Sequence, residues 1–178
     1  MPGNAFIKFE KSDGGTAPGE SLQPGHLGTA GWIEIGDWGW DVEAEASHLK
    51  GTGAAVGKPS PGVLNFSHFY DKSSPVLMQF IVRGTTFKSC TIDMLKQTGG
   101  ELPELYFQLV AKDVFITKVS SKGGEDGAVS QDVEMVFKEM AVGYKRQKND
   151  GMLDTALFFR WNIAEQTAET PNVKLTIK

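Results

Sequence analysis

At 178 residues the chain fits one domain large enough for a real core, and its 40% apolar and 22% charged residues are ordinary for a soluble globule. Eighteen basic against 22 acidic residues leave a net charge of −4, which disfavours nucleic acid as the main partner because phosphate binding needs a basic surface. No run approaches the ~18 apolar residues of a membrane span, so no membrane insertion is expected. The start, Met-Pro-Gly-Asn-Ala-Phe-Ile-Lys, lacks the basic-then-apolar layout of a signal peptide, which implies synthesis and folding in the cytoplasm. The single cysteine, Cys90, excludes an intrachain disulfide framework.

In chain order, Ala5–Glu10 alternates and reads as a first strand. Lys11–Ala30 is rich in Gly and Pro and reads as a loop. Gly31–Asp41 holds three of the four tryptophans and changes apolar phase, from Ile33 and Ile35 to Trp38, Trp40 and Val42. A strand has a side-chain period of two, so one extra residue at Gly36-Asp37 predicts a β-bulge. Large side chains on both faces require cover on both, which a curled barrel touching a neighbouring subunit would supply. Gly51–Gly62 predicts a second, projecting loop, since small residues and two prolines cannot build a core.

Val63–Tyr70 reads as a strand with Leu64, Phe66, His68 and Tyr70 on one face. One helix is predicted within Asp71–Gly84. Ser74 would cap its start, Pro75 suits its first turn, and Gly84 would close it left-handed. Val76, Leu77, Phe80 and Ile81 recur at helical spacing, so this short helix must pack on a sheet. The rest reads as strand. Phe87–Leu95 buries Cys90, Ile92 and Met94, and Leu105–Val119 carries Leu105, Phe107, Leu109, Phe115 and Val119 on one side. Ser120–Gly127 is a hairpin tip. Asp132–Lys145 changes phase between Phe137 and Met140, predicting a bulge near Lys138-Glu139, and bulges help a sheet to curl. Thr155–Ile163 is the last strand, with Leu157, Phe159, Trp161 and Ile163 on one face. The residues after Ala164 are polar until Val173–Lys178 and predict a tail that needs a partner surface to be ordered. The expected class is mainly β, a small barrel of bulged antiparallel strands with one short helix on its side. Its barrel domain is expected over residues 1–166, with a tail over 167–178.

No catalytic set is legible. His26, His48 and His68 show no ligand spacing with one another or with cysteine, and His68 on an apolar face reads as a satisfied core histidine. Cys90 lies in an alternating apolar run and reads as a small core residue rather than a nucleophile. Gly51–Gly62 fails the phosphate-loop pattern, with Thr52 and Pro59 at two required positions, and it misses the dinucleotide spacing too. The acidic run Glu34, Asp37, Asp41, Glu43 and Glu45 could supply paired carboxylates, but solvated or intersubunit charges are the plainer reading. Catalytic residues, cofactors and metal ligands are therefore all read as none.

Four pieces in order carry a resemblance: Ala5-Phe-Ile-Lys-Phe with Gly19-Glu20-Ser21; Trp38-Gly39-Trp40; Asp71-Lys72-Ser73-Ser74-Pro75 with Leu77-Met78; and Tyr144, Asp150-Gly151 and Trp161-Asn162-Ile163. The chain resembles the haemolysin-coregulated protein (Hcp) family, the inner-tube subunits of bacterial type VI secretion, from Ala5 to about Gln166. The resemblance implies a β-barrel subunit, six copies of which form a ring. Rings stack into a tube that a contractile sheath expels behind a spike protein, with small effector proteins held in the pore. It also implies export by the type VI route without a signal peptide. On that resemblance, Gly51, Thr52, Gly53, Val56, Gly57 and Lys58 belong to the ring-stacking loop and Gly39 matches a pore-facing position. Asp71, Ser74 and Pro75 are the helix-start motif, and Trp38, Trp40 and Trp161 are family tryptophans. The alternative is a monomeric β-barrel that binds a small ligand in its lumen. An enzymatic toxin would need a further folded extension, for which a ~15-residue tail is too short.

Overall fold

A computed structural model describes residues 4–48, 54–170 and 172–178. Its elements in order are β1 (Ala5–Glu10), β2 (Leu22–Gln23), β3 (His26–Leu27), a 3-10 turn (Gly28–Ala30), β4 (Trp32–Ile35), β5 (Trp38–Gly39), β6 (Val42–His48), β7 (Ala54–Pro61), β8 (Leu64–Phe69), α1 (Ser74–Arg83), β9 (Phe87–Lys96), β10 (Glu104–Gly123), β11 (Val129–Val136), β12 (Glu139–Tyr144) and β13 (Leu157–Asn162). The main sheet runs β4-β1-β9-β10-β11-β8-β5, with β12 pairing β10 and β13 pairing β12. All of these pairings are antiparallel.

The two ends of that path, β4 and β5, are successive stretches of one chain segment. The tryptophan run is therefore not one bulged strand. It leaves β1 after Ile35 and joins β8 at Trp38, and at the crossing Gly36 N–H already donates to Ser67 O (2.8 Å) while Asp37 O accepts from Ser67 N–H (2.9 Å). The phase change between Ile35 and Trp38 is the turn of a corner, and it curls the sheet back towards its own start.

A second corner lies opposite. β10 pairs Lys112 with Glu139 and Phe115 with Val136, three residues on each strand, so no extra residue sits at Lys138 and the expected bulge is absent. Both strands bend together instead, and Asp113 takes φ 52, the left-handed region that Asp tolerates better than most residues. The bend changes the buried phase of β10 from Leu109 and Ala111 to Val114 and Ile116. Phe115, expected beside Leu109, is consequently only half-buried on the other face. A true bulge follows at Ile116/Lys118, where the register shifts.

Between these corners the core is filled by Phe9, Phe66, Phe87, Ile7, Ile33, Leu64, Ile92 and Met135, each at most 2% exposed. Helix α1 packs on β10 through Leu77, with Val76, Phe80 and Ile81 half-buried, and Phe80 stacks on Phe87 at 3.9 Å. Gly84 closes the helix at φ 64 as expected, with Thr85 N–H returning to Phe80 O. The start differs from expectation. Ser74 Oγ accepts from Asp71 N–H (3.1 Å), ahead of the helix, and Asp71 Oδ1 takes both the N–H (2.8 Å) and the hydroxyl of Ser73. Asp71 and Ser74 thus tie the entry turn together, while Pro75 occupies the first turn, where its missing N–H leaves nothing unpaired.

Two expected loops carry structure. Lys11–Ala30 contains the small β2–β3 ladder, and Gly51–Gly62 is partly strand, since Ala54–Pro61 pairs with Val42–His48 in a separate two-stranded sheet. Proline cannot donate to a ladder, but a strand with only one neighbour can place Pro59 and Pro61 N-sides outward, so this Gly/Pro-rich stretch can still pair. Tyr70, expected inward with Phe66, is instead 42% exposed at the end of β8.

Candidate assembly surfaces

The β6–β7 hairpin is an arm. Its seven-residue strand β6 at ~3.3 Å per residue gives a reach of roughly 23 Å, and among the described residues it pairs with no strand of the main sheet. Glu43, Glu45, Lys58 and Ser60 are exposed on it. A Cβ at Gly57 would lie 2.9 Å from Glu45 O, beside the register shift at Ala44/Ala46, so the close approach of the two strands there requires glycine. Of the stacking set, Gly57 and Lys58 lie on this arm and Val56 belongs to β7, while Gly51, Thr52 and Gly53 lie outside the described residues.

The tryptophans of the resemblance line the core side of the barrel wall. Trp38 packs on Phe107 (5.2 Å) and its indole N–H donates to Met94 Sδ (3.2 Å); Trp40 lies 6.0 Å from Phe137 and 6.3 Å from Trp161. Alternation along β5 turns Gly39 to the opposite side, where it pairs with Asn65. A Cβ there would meet Asn65 at an ordinary 3.6 Å, so a larger residue fits this position.

The last strand is the open edge. β13 pairs only with β12, and although Trp161 is 7% exposed, Leu157, Phe158 and Phe159 are 75%, 52% and 49% exposed. An edge of unpaired backbone groups flanked by large apolar side chains on both faces is a template for another chain. Helix α1 adds Val82, at 84%, on its outer side.

The outer face of the wall is covered by the chain itself. Cross-strand pairing places Phe6, Asp93, Gln108, Gly143 and Phe158 in one row across β1, β9, β10, β12 and β13. Over one half lies His26, its ring 5.2 Å from Phe6 and 4.4 Å from Trp32, with Nε2–H donating to Asp93 Oδ2 at 2.8 Å. His26 of the β2–β3 ladder therefore covers Trp32 on the outer side of β4, whereas Trp38 and Trp40 share the core side with Ile33 and Ile35. Over the other half lies the C-terminal segment. Val173 and Ile177 are 2% and 4% exposed, and Val173 clusters with Val110 and Ala141. The surface that orders the tail is thus its own sheet. No pattern within residues 167–178 names that surface; the signal is Gly143 in β12, where a Cβ would collide with Ile177 Cγ2.

His68 is 4% exposed and its Nε2–H donates to Gln131 Oε1 at 2.9 Å, so it is the core histidine read from the sequence, but only half satisfied, since its buried Nδ1 has no hydrogen-bond partner. His26 is in contact with the sheet rather than free in a loop. Glu34 and Asp37, which alternation along a single strand would put on opposite faces, line one cleft with His68 and Asp71 because the chain turns its corner between them. Cys90 is fully buried, and desolvation pushes its thiol far above the ordinary range. A thiol reagent such as DTNB is accordingly expected to label no cysteine in the native protein at pH 8 and one per chain in denaturant. Rapid native labelling would contradict this packing.

Fold and surfaces together define a class: a mainly β, side-chain-filled barrel with one flanking helix, a two-stranded arm and an open apolar edge. A family model described as type VI secretion system effector, Hcp, matches residues 6–144, and the chain belongs to that family. It is 31% identical over 105 residues to protein hcp1 of Pseudomonas aeruginosa, an alignment covering 57% of this chain and 64% of that relative's length. Among solved structures, a type six secretion system protein superposes with TM-score 0.80 at 22% identity, covering 92% of this chain and 97% of that one. Hcp1 from Salmonella typhimurium superposes with TM-score 0.69 at 22% identity, covering 94% and 99%. The baseplate of the anti-feeding prophage contains a chain with TM-score 0.53 at 13% identity, covering 80% and 93%. These likenesses fix the fold.

Proposed function

We propose that this chain is the repeating subunit of a type VI secretion inner tube, six copies closing into a ring and rings stacking through the β6–β7 arm. The observation that carries the reading is the open β13 edge with Leu157, Phe158 and Phe159 exposed, in a chain of the Hcp family. A ring is a heterologous interface closed by rotation, so one subunit's apolar edge meets a different surface on the next. The tube forms in the cytoplasm and leaves the cell by the type VI route, with the sheath outside it, a spike at its tip and small effector proteins in its pore. Gly39 is the pore-facing position on this reading, and the subunit is a carrier rather than a catalyst.

A monomeric ligand-binding barrel would need an open lumen. Phe9, Phe66, Phe87 and Met135 fill the interior here, which counts against that alternative.

Deleting Gly53–Lys58 or introducing Gly51→Trp is expected to weaken stacking while leaving single rings intact. Negative-stain electron microscopy of the variants checks this: isolated rings are expected, and tubes as long as those of the parent chain would refute the arm's role. Proteins that co-purify with the ring would identify its cargo.

A further inference from the structure

Residues 173–177 lie across the outer sheet face as an extended strap, and the way they are held is specific. Gln108, 2% exposed, accepts the backbone N–H groups of Thr176 (2.7 Å) and Ile177 (3.2 Å) through one oxygen. Its amide nitrogen donates to Thr176 Oγ1 and to Asp93 Oδ1, both at 2.8 Å. Arg160 donates to Val173 O at 3.1 Å. Val173 and Ile177 point down onto the sheet, while Lys174 and Thr176 between them are exposed. The strap is attached through few elements: after β13 the chain makes a turn bridged at Asn162 and Thr167 and contains no further helix or strand among the described residues.

The strip beneath continues directly into the open edge. Val110, Ala141 and Arg160 form one cross-strand row, and Gln108, Gly143 and Phe158 the next, so the strap ends where exposed Phe158 begins. We propose that residues 173–177 are a removable cover that limits self-association, narrowing the apolar edge in the free subunit and widening it when lifted. The surface uncovered would be met by a second copy of this chain. Covering only one side of the edge, the strap leaves Leu157 and Phe159 available, so it sets the concentration at which copies associate rather than preventing association. The direction of this effect rests on the ring reading; the existence of a groove that accepts the strap does not.

Two readouts separate those claims. The chain truncated after Thr170 is expected to bind a labelled peptide of residues 172–178 saturably by fluorescence anisotropy, whereas the intact chain is expected to bind it at least tenfold more weakly. In sedimentation velocity the truncated chain is expected to associate at a concentration at least tenfold lower than the intact chain, and excess peptide is expected to reverse the shift. Val173→Asp with Ile177→Asp in the untruncated chain lifts the strap without altering the sheet and is expected to give the same shift, which covers a truncation that fails to fold. Peptide binding without any shift, in chains that do associate, would overturn the strap as a limiter. Absence of peptide binding together with unchanged association would overturn the strap altogether. If every chain stays monomeric while the peptide binds, the ring reading fails and the proposed limiter with it, leaving only the groove.

Discussion

Replacing Leu157 and Phe159 with aspartate is expected to leave the barrel folded and to abolish ring formation. Both side chains are exposed in the single chain, at 75% and 49%, so charging them costs the subunit little. In a ring the same positions would be desolvated. Burying one such side chain is worth ~1.5–3 kcal/mol, so losing two removes on the order of 3 kcal/mol per contact. That alone is roughly a hundredfold in dissociation constant, before the cost of burying a carboxylate. Light scattering on the double variant is expected to give the monomer mass at concentrations where the parent is assembled, with unchanged far-UV circular dichroism. A variant that assembles like the parent would place the ring interface elsewhere.

Phe87→Ala is expected to be the most damaging core substitution. Phe87 is fully buried, stacks on Phe80 at 3.9 Å and lies 4.8 Å from Phe9, so it joins the helix to the sheet at one point. Removing a buried phenylalanine ring typically costs 3–5 kcal/mol, the lost transfer energy plus the cavity left behind. The urea midpoint is expected to fall accordingly, since a loss of that size is a large part of a small domain's stability. A cost below ~1 kcal/mol would mean that the helix is held by other contacts, such as Leu77.

Legibility from the sequence depended on whether a signal was local. Strand β1 and the helix C-terminus at Gly84 were readable because alternation and a left-handed glycine act within a few residues. The phase changes near Gly36 and Lys138 were readable too, but their meaning was not. A bulge and a sheet corner leave the same trace in one strand, and only the pairing partners distinguish them. Phe115 was misplaced for that reason, since the bend at Asp113 belongs to two strands at once. The tail was misread for a related one. Its alternation of Val173, Leu175 and Ile177 is plain, yet the surface it needs lies 68 residues away in sequence at Gln108, a polar side chain whose own neighbours in the strand give no sign of that contact. Among the assembly residues, the tryptophans and helix-start motif fall on the core side and the entry turn, where they shape the barrel. The exposed edge at Leu157 and Phe159 looked like ordinary strand alternation.

The most direct test is the mass of the intact chain in solution, measured by light scattering across concentration with electron-microscope class averages of the same sample. The account predicts a species of six times 19.4 kDa with sixfold symmetry and a central pore. A particle that remains at 19.4 kDa at the highest attainable concentration, or a closed two-fold dimer, would contradict it.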